Sequence, residues 1–593
     1  MVLYWMRVTF MAYFLKKSNL KKGVYLQIYE SFYDPERNQT AHKSYKALGY
    51  VDELVAKGID DPISFYSEKV KQLNAERKAA RDSEKVRKIS DDTPAKHLGY
   101  FPFKALNDSL GIKGYLDIFQ RNSDFRFNVY SVMSALIYAR VVQPCSKLKT
   151  YYEVLPSLFE PVDFSSDQMY ACLEYIGAEY EKIIEMYNAQ ISALYGFNTD
   201  HAYFDCTNFY FEIDREDDFR RKGPSKENRR EPLVGLGLLL DGNQIPIGME
   251  VYPGNESEKP VIRKVIDKLK KRSHVEGRTI QIADKGLNCA ENIMYALSAG
   301  DGYIFSKSVK MLPAIEKEWV LLDNDYREVH DSNGHLLYRI KECVDEFTYD
   351  VPTSNGKKRK VTITEKRVVT FNPDLARKKC HEINKLVEKA MQLKTSAAKR
   401  SEYGDSAKYV TFTAADSKGN ATGGKVKVSI NQSAIEEDRR LAGYNLLVTS
   451  ETKMNAADIY KAYHNLWRIE ESFRIMKSYL DARPVYLQKQ ETITGHFLIC
   501  YLSVTLLRLL QFKVLGDKYS SEEIMNFAHS FDVTRISDRN YINIARKSEF
   551  ITKLSEMTGL PIDNLHLKES DIKSIQNYRF KTKHQNNSKT AKK

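Results

Sequence analysis

The stretch HAYFDCTNFYFEI, residues 201–213, reads as a strand with Asp205 set among apolar and aromatic side chains. A carboxylate there is costly to bury unless it meets a cation or strong donors, so this position speaks to chemistry. Downstream, LVGLGLLLDGNQIPIGMEVY (233–252) reads as a hairpin turned at Asp241-Gly242. A helix from Lys259 to Lys271, the strand RTIQIADKG (278–286), a helix from Asn288 to Ser298 and the strand GYIFSKSV (302–309) follow. Asp284 ends its apolar strand and Lys285-Gly286 turns the chain, which puts the carboxylate at a strand's carboxyl end, facing a cleft. Taken singly, each aspartate is more often a turn or capping residue than a reactive one.

The order β-β-β-α-β-α-β is the one expected of an α/β fold with an RNase-H-like mixed sheet, and residues 201–310 form its first part. Residues 311–441 read as a β-rich insertion, with hairpins at Asn333-Gly334 and Asn355-Gly356 and a charged helix from Pro373 to Leu393. The strand YNLLVTS (444–450) and a long helix from Asn455 to Leu480 then resume the pattern, making 442–530 the second part of the core. Upstream lie a β-hairpin module (1–60, turned at Ser18 to Gly23), a charged helix or linker (61–100) and a helical domain that is a candidate DNA reader (101–200). Residues 531–578 are expected to be helical, and 579–593 to be a disordered basic tail. Met11 is an alternative start, and the apolar opening residues lack a signal peptide's basic leader and cleavage site. The run Phe497 to Leu507 is too short to cross a bilayer of about 30 Å and reads as a buried helix.

In the helix that closes the core, Ile459, Ala462, Leu466, Ile469, Phe473, Met476 and Leu480 recur at spacings of three and four, a core stripe. Tyr463, Glu470 and Lys477 follow one another at intervals of seven and drift by only about 20° per step. They form a row along the stripe's margin, bordered by Trp467 and Arg474. An ordinary amphipathic helix with intrahelical pairs such as Glu470 with Arg474 fits the same letters.

Lys plus Arg outnumber Asp plus Glu by 91 to 78, a net charge of +13 that favours a polyanionic partner. The seven cysteines are scattered without a C-x-x-C pair, which argues against a disulfide framework or thiolate zinc site and for a reducing cytoplasm. Two aspartates on neighbouring strands and a glutamate on a packed helix can together hold two divalent cations about 3.5–4 Å apart. Mg²⁺ prefers such oxygen donors. One ion would activate water or a DNA 3′-hydroxyl and the other stabilise the departing oxygen, with Lys477 and Tyr463 gripping the phosphate backbone.

The segments YFDCTNFYFE, IADKGL and YHNLWRIEESFRIMK carry a resemblance to the DDE-type transposases of bacterial insertion sequences, in the branch with a β-strand insertion; the last resembles the pattern Y-x2-R-x3-E-x6-K. The resemblance runs from about His201 to Phe512. It implies Asp205, Asp284 and Glu470 as the catalytic, metal-binding triad, with Tyr463 and Lys477 as accessory DNA-binding residues. The arginine of the pattern falls on Leu466; Arg474, one turn past Glu470, is better placed to replace it than Arg468. YPGNESE (Gly254, Asn255, Glu258), DARPVY (Arg483, Pro484) and GHFLICYL also look like elements of these enzymes, with Arg483 a further candidate DNA contact. The resemblance implies Mg²⁺, with Mn²⁺ as a substitute, double-stranded DNA at terminal inverted repeats and target, a homodimer on DNA, and action in a bacterial cytoplasm. Three rivals stand beside it: an RNase-H-like nuclease without strand transfer, an inactive transposase-derived DNA-binding protein, and a hydrolase with paired carboxylates acting on sugars. The last explains neither the Tyr-Glu-Lys row nor the basic excess. In the insertion, Trp319 reads as local core before base-stacking platform, Lys357 to Lys360 as solvated, and His330 with His335 as turn residues before a metal pair.

Overall fold

The computed structural model describes residues 12–34, 39–85, 95–122, 124–226, 230–271, 277–353, 355–395, 402–414, 426–537 and 539–580. The expected alternative start at Met11 and the basic tail beyond Phe580 lie outside them. The chain divides into two compact units, Met1–Thr93 and Pro94–Lys593.

In the first unit β1 (Ala12–Leu20), β2 (Gly23–Asp34) and β3 (Gln39–Tyr50) form an antiparallel sheet, followed by helices Val51–Ala56 and Pro62–Lys85. The long helix, expected as an exposed helix or linker, is a helix that lies within this unit and keeps much of its surface exposed. Asn74 exchanges two 2.9 Å hydrogen bonds with the backbone of Tyr13, and the buried Glu30 pairs with Lys43 (3.6 Å) and Arg77 (3.5 Å). Leu26, Ile28, Leu54 and Val70 fill the space between. The charged composition hid this apolar edge, because Val70 and its neighbours form a narrow stripe.

The second unit opens on β4 (Ala95–His97) and a helical region that includes Phe101–Ser109, Val129–Val142, Ser166–Ala178 and Tyr180–Tyr195. Then come β5 (His201–Tyr210), β6 (Leu233–Asp241), β7 (Pro246–Pro253), helix Val261–Lys271, β8 (Ile280–Ala283), helix Ala290–Ser298 and β9 (Gly302–Lys307). The expected order of elements is therefore present. The insertion supplies β10 (Arg327–His330), β11 (Leu336–Pro352), β12 (Lys358–Phe371), helix Pro373–Thr395, the hairpin β13 (Val410–Ala414) and β14 (Val426–Ile430), and helix Gln432–Arg440, before β15 (Tyr444–Thr449).

One nine-stranded mixed sheet results, in the order β10-β11-β12-β15-β9-β8-β5-β6-β7. β5 lies parallel to β8 and β8 to β9, while the remaining neighbours are antiparallel. The first three insertion strands thus continue the sheet; only the β13–β14 hairpin and its two helices keep small cores of their own.

Both faces of the sheet are covered around β6, which is buried along its whole length, whereas the far ends of β11 and β12 are exposed. Side chains alternate across a strand: Ala202, Phe204 and Cys206 pack against the 261–271 and 290–298 helices. Tyr203 and Phe209 face the other way, into a core shared with the helical region, the 456–480 segment and the Gln490–Arg508 helix. Residues 101–200 therefore share one core with the sheet. Where helices 166–178 and 490–508 cross, glycine is required on both: a Cβ on Gly177 would stand 1.8 Å from the Glu491 carbonyl oxygen, and one on Gly495 2.1 Å from that of Leu173.

The apolar run expected at 497–507 sits inside a longer helix that continues through a π-helical stretch to Val514 and is long and apolar enough to cross a membrane. Its most apolar window is wholly buried within the fold, which accounts for its composition. The 531–578 region corrects the helical expectation: β16 (Asp532–Ser537), β17 (Asn540–Asn543) and β18 (His566–Lys568) join β4 in a second sheet, alongside helices Glu549–Thr558 and Glu569–Gln576. Its strands are short, and one pairs with a segment over 400 positions away, a partner that local periodicity does not disclose. Phe580, inside the expected tail, is buried in the main core.

Candidate active site

Asp205 lies on the same face of β5 as Tyr203 and Phe209, the face on which the 456–480 segment packs. Asp284 follows the last residue of β8, the strand beside β5. Glu470 sits on the two-turn helix Trp467–Arg474. The long helix is interrupted: Ala456–His464 ends at Asn465, Leu466 starts the next helix, and Ile475–Tyr479 is π-helical. Every member of the expected stripe, from Ile459 to Leu480, is buried.

Tyr463 donates a 2.9 Å hydrogen bond to Asp284 Oδ1, so its hydroxyl orients a carboxylate of the site. Burial, reinforced by Asp284, raises its pKa far above the ordinary tyrosine value. Lys226 enters from the loop between β5 and β6. Its ammonium lies 3.8 Å from Asp205 Oδ1 and 3.3 Å from Glu258 Oε1 and donates to the Cys206 carbonyl. Asn208 holds this loop to β5, accepting from the Lys226 amide at 3.2 Å and donating to the Pro224 carbonyl at 2.9 Å. Beside it opens a cleft of about 490 Å³ lined by Asn208, Lys226, Tyr252, Gly254, Glu258 and Gly286. Gly254 must be glycine: a Cβ would lie 2.2 Å from the Leu233 carbonyl oxygen.

The site is electrostatically strained toward cations. Burial, with Glu258 and Asp284 nearby, raises the Asp205 pKa to about 6 even though Lys226 opposes the shift. Glu470 is also raised, by partial withdrawal from solvent and then by Asp284, with Lys226 acting the other way. Partial burial alone would lower the Lys226 pKa, but Asp205 and Glu258 more than reverse it. Asp205 and Glu470 thus both sense Asp284 and the same ammonium. Among the described residues, however, no three Asp, Glu, His or Cys side chains come close enough to hold one ion.

The raised Asp205 pKa has a testable sign. The folded state holds this proton more tightly than the unfolded chain, so the stability it brings is full below the ordinary value of 3.8 and is lost as pH rises through about 6. Asp205→Asn, a neutral stand-in, is expected to unfold at a higher temperature than the parent at about pH 7.5 without divalent cations, by about 1–3 kcal/mol. Below pH of about 4 the two should converge. Equal melting temperatures at both pH values would mean that Asp205 is not held against its charge.

A family model described as a transposase DDE domain matches residues 204–506, just over half of the chain, and spans all three acids. The chain belongs to the DDE transposases. No curated protein matches it.

The other candidates of this transposase lie outside the lining of that cleft. Lys477 places its ammonium 5.4 Å from the centre of the Phe209 ring, and the Arg483 guanidinium lies 5.5 Å from that of Tyr210, so both stand against β5 beyond Asp205. Arg474 is exposed on the Glu470 helix. Leu466 is core, whereas Arg468 packs on Trp467 and pairs with Glu471 (3.3 Å) and Asp517 (2.9 Å), away from the site. In the insertion, Trp319 is partly buried with the Lys341 ammonium over its ring. His330 and His335 pair separately with Glu328 and Asp331, each at 3.4 Å, and Lys357 to Lys360 are exposed. Sequence reasoning missed Lys226 and Asn208. Lys226 sits in a uniformly charged loop with no distinguishing signal, while Asn208 lies three residues past Asp205 on the same strand but on its other face, where alternation alone does not single it out.

Proposed function

We propose that this transposase cuts DNA at the ends of its own element and joins the resulting 3′-hydroxyls to target DNA, with Asp205, Asp284 and Glu470 as its reactive centre. The observation that carries the reading is that Asp284, at the end of the strand beside β5, acts electrostatically on both Asp205 and Glu470, while Lys226 pairs with Asp205. The strand order β7-β6-β5-β8-β9, with β8 and β9 parallel to β5, supports an RNase-H-like core for this part of the sheet.

The donors are hard oxygens, and their mutual repulsion is offset only in part by the Lys226 ammonium, so the set suits a divalent cation such as Mg²⁺, or Mn²⁺. Asp205, Asp284 and Glu470 would hold such an ion only after drawing closer together than they stand here, and the ion would then supply Lewis acidity to a scissile phosphate. The protein's own part is to mount those acids. Tyr463 fixes the rotamer of Asp284, and Asn208 fixes the loop that aims Lys226. Lys226 holds the charge of Asp205 and Glu258 in the absence of a cation. Lys477, Arg483 and the exposed Arg474 would position the backbone of double-stranded DNA along the cleft. Two element ends must be processed together, which points to a homodimer on DNA, working in the bacterial cytoplasm where that DNA lies.

The test uses the full-length chain on supercoiled DNA carrying the sequences that flank its gene, with Mg²⁺ or EDTA, followed by an assay for joining a pre-cleaved 3′-hydroxyl end. Cation-dependent nicking and joined products are expected. Nicking without joining would leave a nuclease, and DNA binding with neither would leave an inactive binding protein.

A further inference from the structure

A second cavity, also of about 490 Å³, lies beside the loop that leaves the Glu470 helix and is lined in part by Arg140, Cys145, Lys147, Tyr170, Val485 and His496. Three of these are basic and nearly inaccessible: Arg140 is 4% exposed, Lys147 6% and His496 5%. Arg140 donates through Nη1 to the carbonyls of Leu480 (3.3 Å) and Asp481 (3.5 Å), which caps the end of the preceding helix. Its Nε and Nη2 make no hydrogen bond to protein among the described residues. His496 Nε2 lies 3.1 Å from the Ala482 carbonyl oxygen and so carries the ring proton, leaving Nδ1 to accept from Lys147 at 3.1 Å. The remaining Lys147 protons have no protein acceptor among the described residues. No carboxylate pairs with Arg140 or Lys147 there, and Asp481 stands at the exposed rim.

Burying two cationic groups side by side without a counter-charge is unfavourable, and losing either one's ionisation does not fill the space between them. Burial, reinforced by Arg140, drives the Lys147 pKa far down, and Lys147 and Arg140 add to the burial that lowers His496. A planar guanidinium fork beside an ammonium is the donor set that recognises a tetrahedral oxyanion. The cavity has room for more than a bare ion, and its lining includes the exposed Leu148 and Tyr486.

We propose that this cavity is a phosphate-binding site, taking a phosphate of the DNA strand or free phosphate through Arg140 and Lys147. The DNA source rests on the function proposed above; the phosphate chemistry does not. The full-length chain provides its own reporter, because Cys145 lines the cavity and is partly accessible, as are Cys289, Cys343 and Cys380 elsewhere. Inorganic phosphate, at ionic strength matched with chloride, is expected to slow alkylation of Cys145 read by mass spectrometry while leaving the other three unchanged. A short DNA duplex should do the same at far lower phosphate concentration. Lys147→Met is expected to weaken protection by about tenfold or more, and Lys147→Arg to retain it. Protection by inorganic phosphate alone would reject DNA as the source, and unchanged Cys145 reactivity with both ligands on the unsubstituted chain would overturn the site. Protection that survives in a chain unable to nick DNA would count against the proposed function and leave the pocket standing.

Discussion

Glu470→Gln is expected to lower cation-dependent nicking by at least on the order of 10²–10³-fold while leaving the melting temperature nearly unchanged. The side chain is exposed and makes no ion pair among the described residues, so its removal takes nothing from the core. What it removes is negative charge at the one edge of the site carried by a helix. The remaining acids cannot replace it: Asp284 is held by Tyr463, and Asp205 is already balanced against Lys226 and Glu258. Asp205→Asn should match the loss of nicking while raising stability at neutral pH, a pairing that a merely structural aspartate would not give. Nicking within a few-fold of the parent in either variant would remove that acid from the reactive centre.

The adjacent glutamate should behave in the opposite way. Glu471 is 7% exposed and pairs at 3.0 Å with Arg508, which is fully buried; Ser521 donates to its other oxygen at 2.7 Å. Arg508 also donates to Gln511 at 2.7 Å and to the Arg468 carbonyl at 3.1 Å. Glu471→Ala would strand that guanidinium in the core beside Arg468, and the expected loss is about 3–5 kcal/mol. Despite burial, which acts the other way, Arg508 and Ser521 hold the Glu471 pKa below its ordinary value of 4.5. Its contribution is therefore complete above that value and is lost as pH falls below it. Chemical denaturation of Glu471→Ala and the parent at neutral pH checks the magnitude; a difference under about 1 kcal/mol would show that the network tolerates an unpaired arginine.

The periodicities were strong wherever one face of an element meets one environment. Asp205 stood out because a charged residue interrupts an apolar strand and Asp284 because one ends it, and the stripe from Ile459 to Leu480 predicted a buried face that is buried. The Tyr463–Glu470–Lys477 row assumed a uniform 3.6-residue repeat; the segment instead breaks at Asn465 and widens at Ile475, although Tyr463 still reaches Asp284 and Lys477 the Phe209 ring. Contacts between distant segments were not legible. Nothing local to Ala95 announces a partner at Thr534, and nothing in the loop around Lys226 distinguishes it from the charged residues on either side. The pocket of Arg140, Lys147 and His496 was invisible for the same reason, since its members come from helices over 300 positions apart.

The break at Asn465 also separates two ways in which the proposed activity can fail. Because Tyr463 and Glu470 ride on separate helical pieces, a lesion that unwinds residues 456–464 would release Asp284 from its tether while the glutamate keeps its own two turns. Damage confined to residues 467–474 would do the converse, so the candidate acids would be lost one at a time.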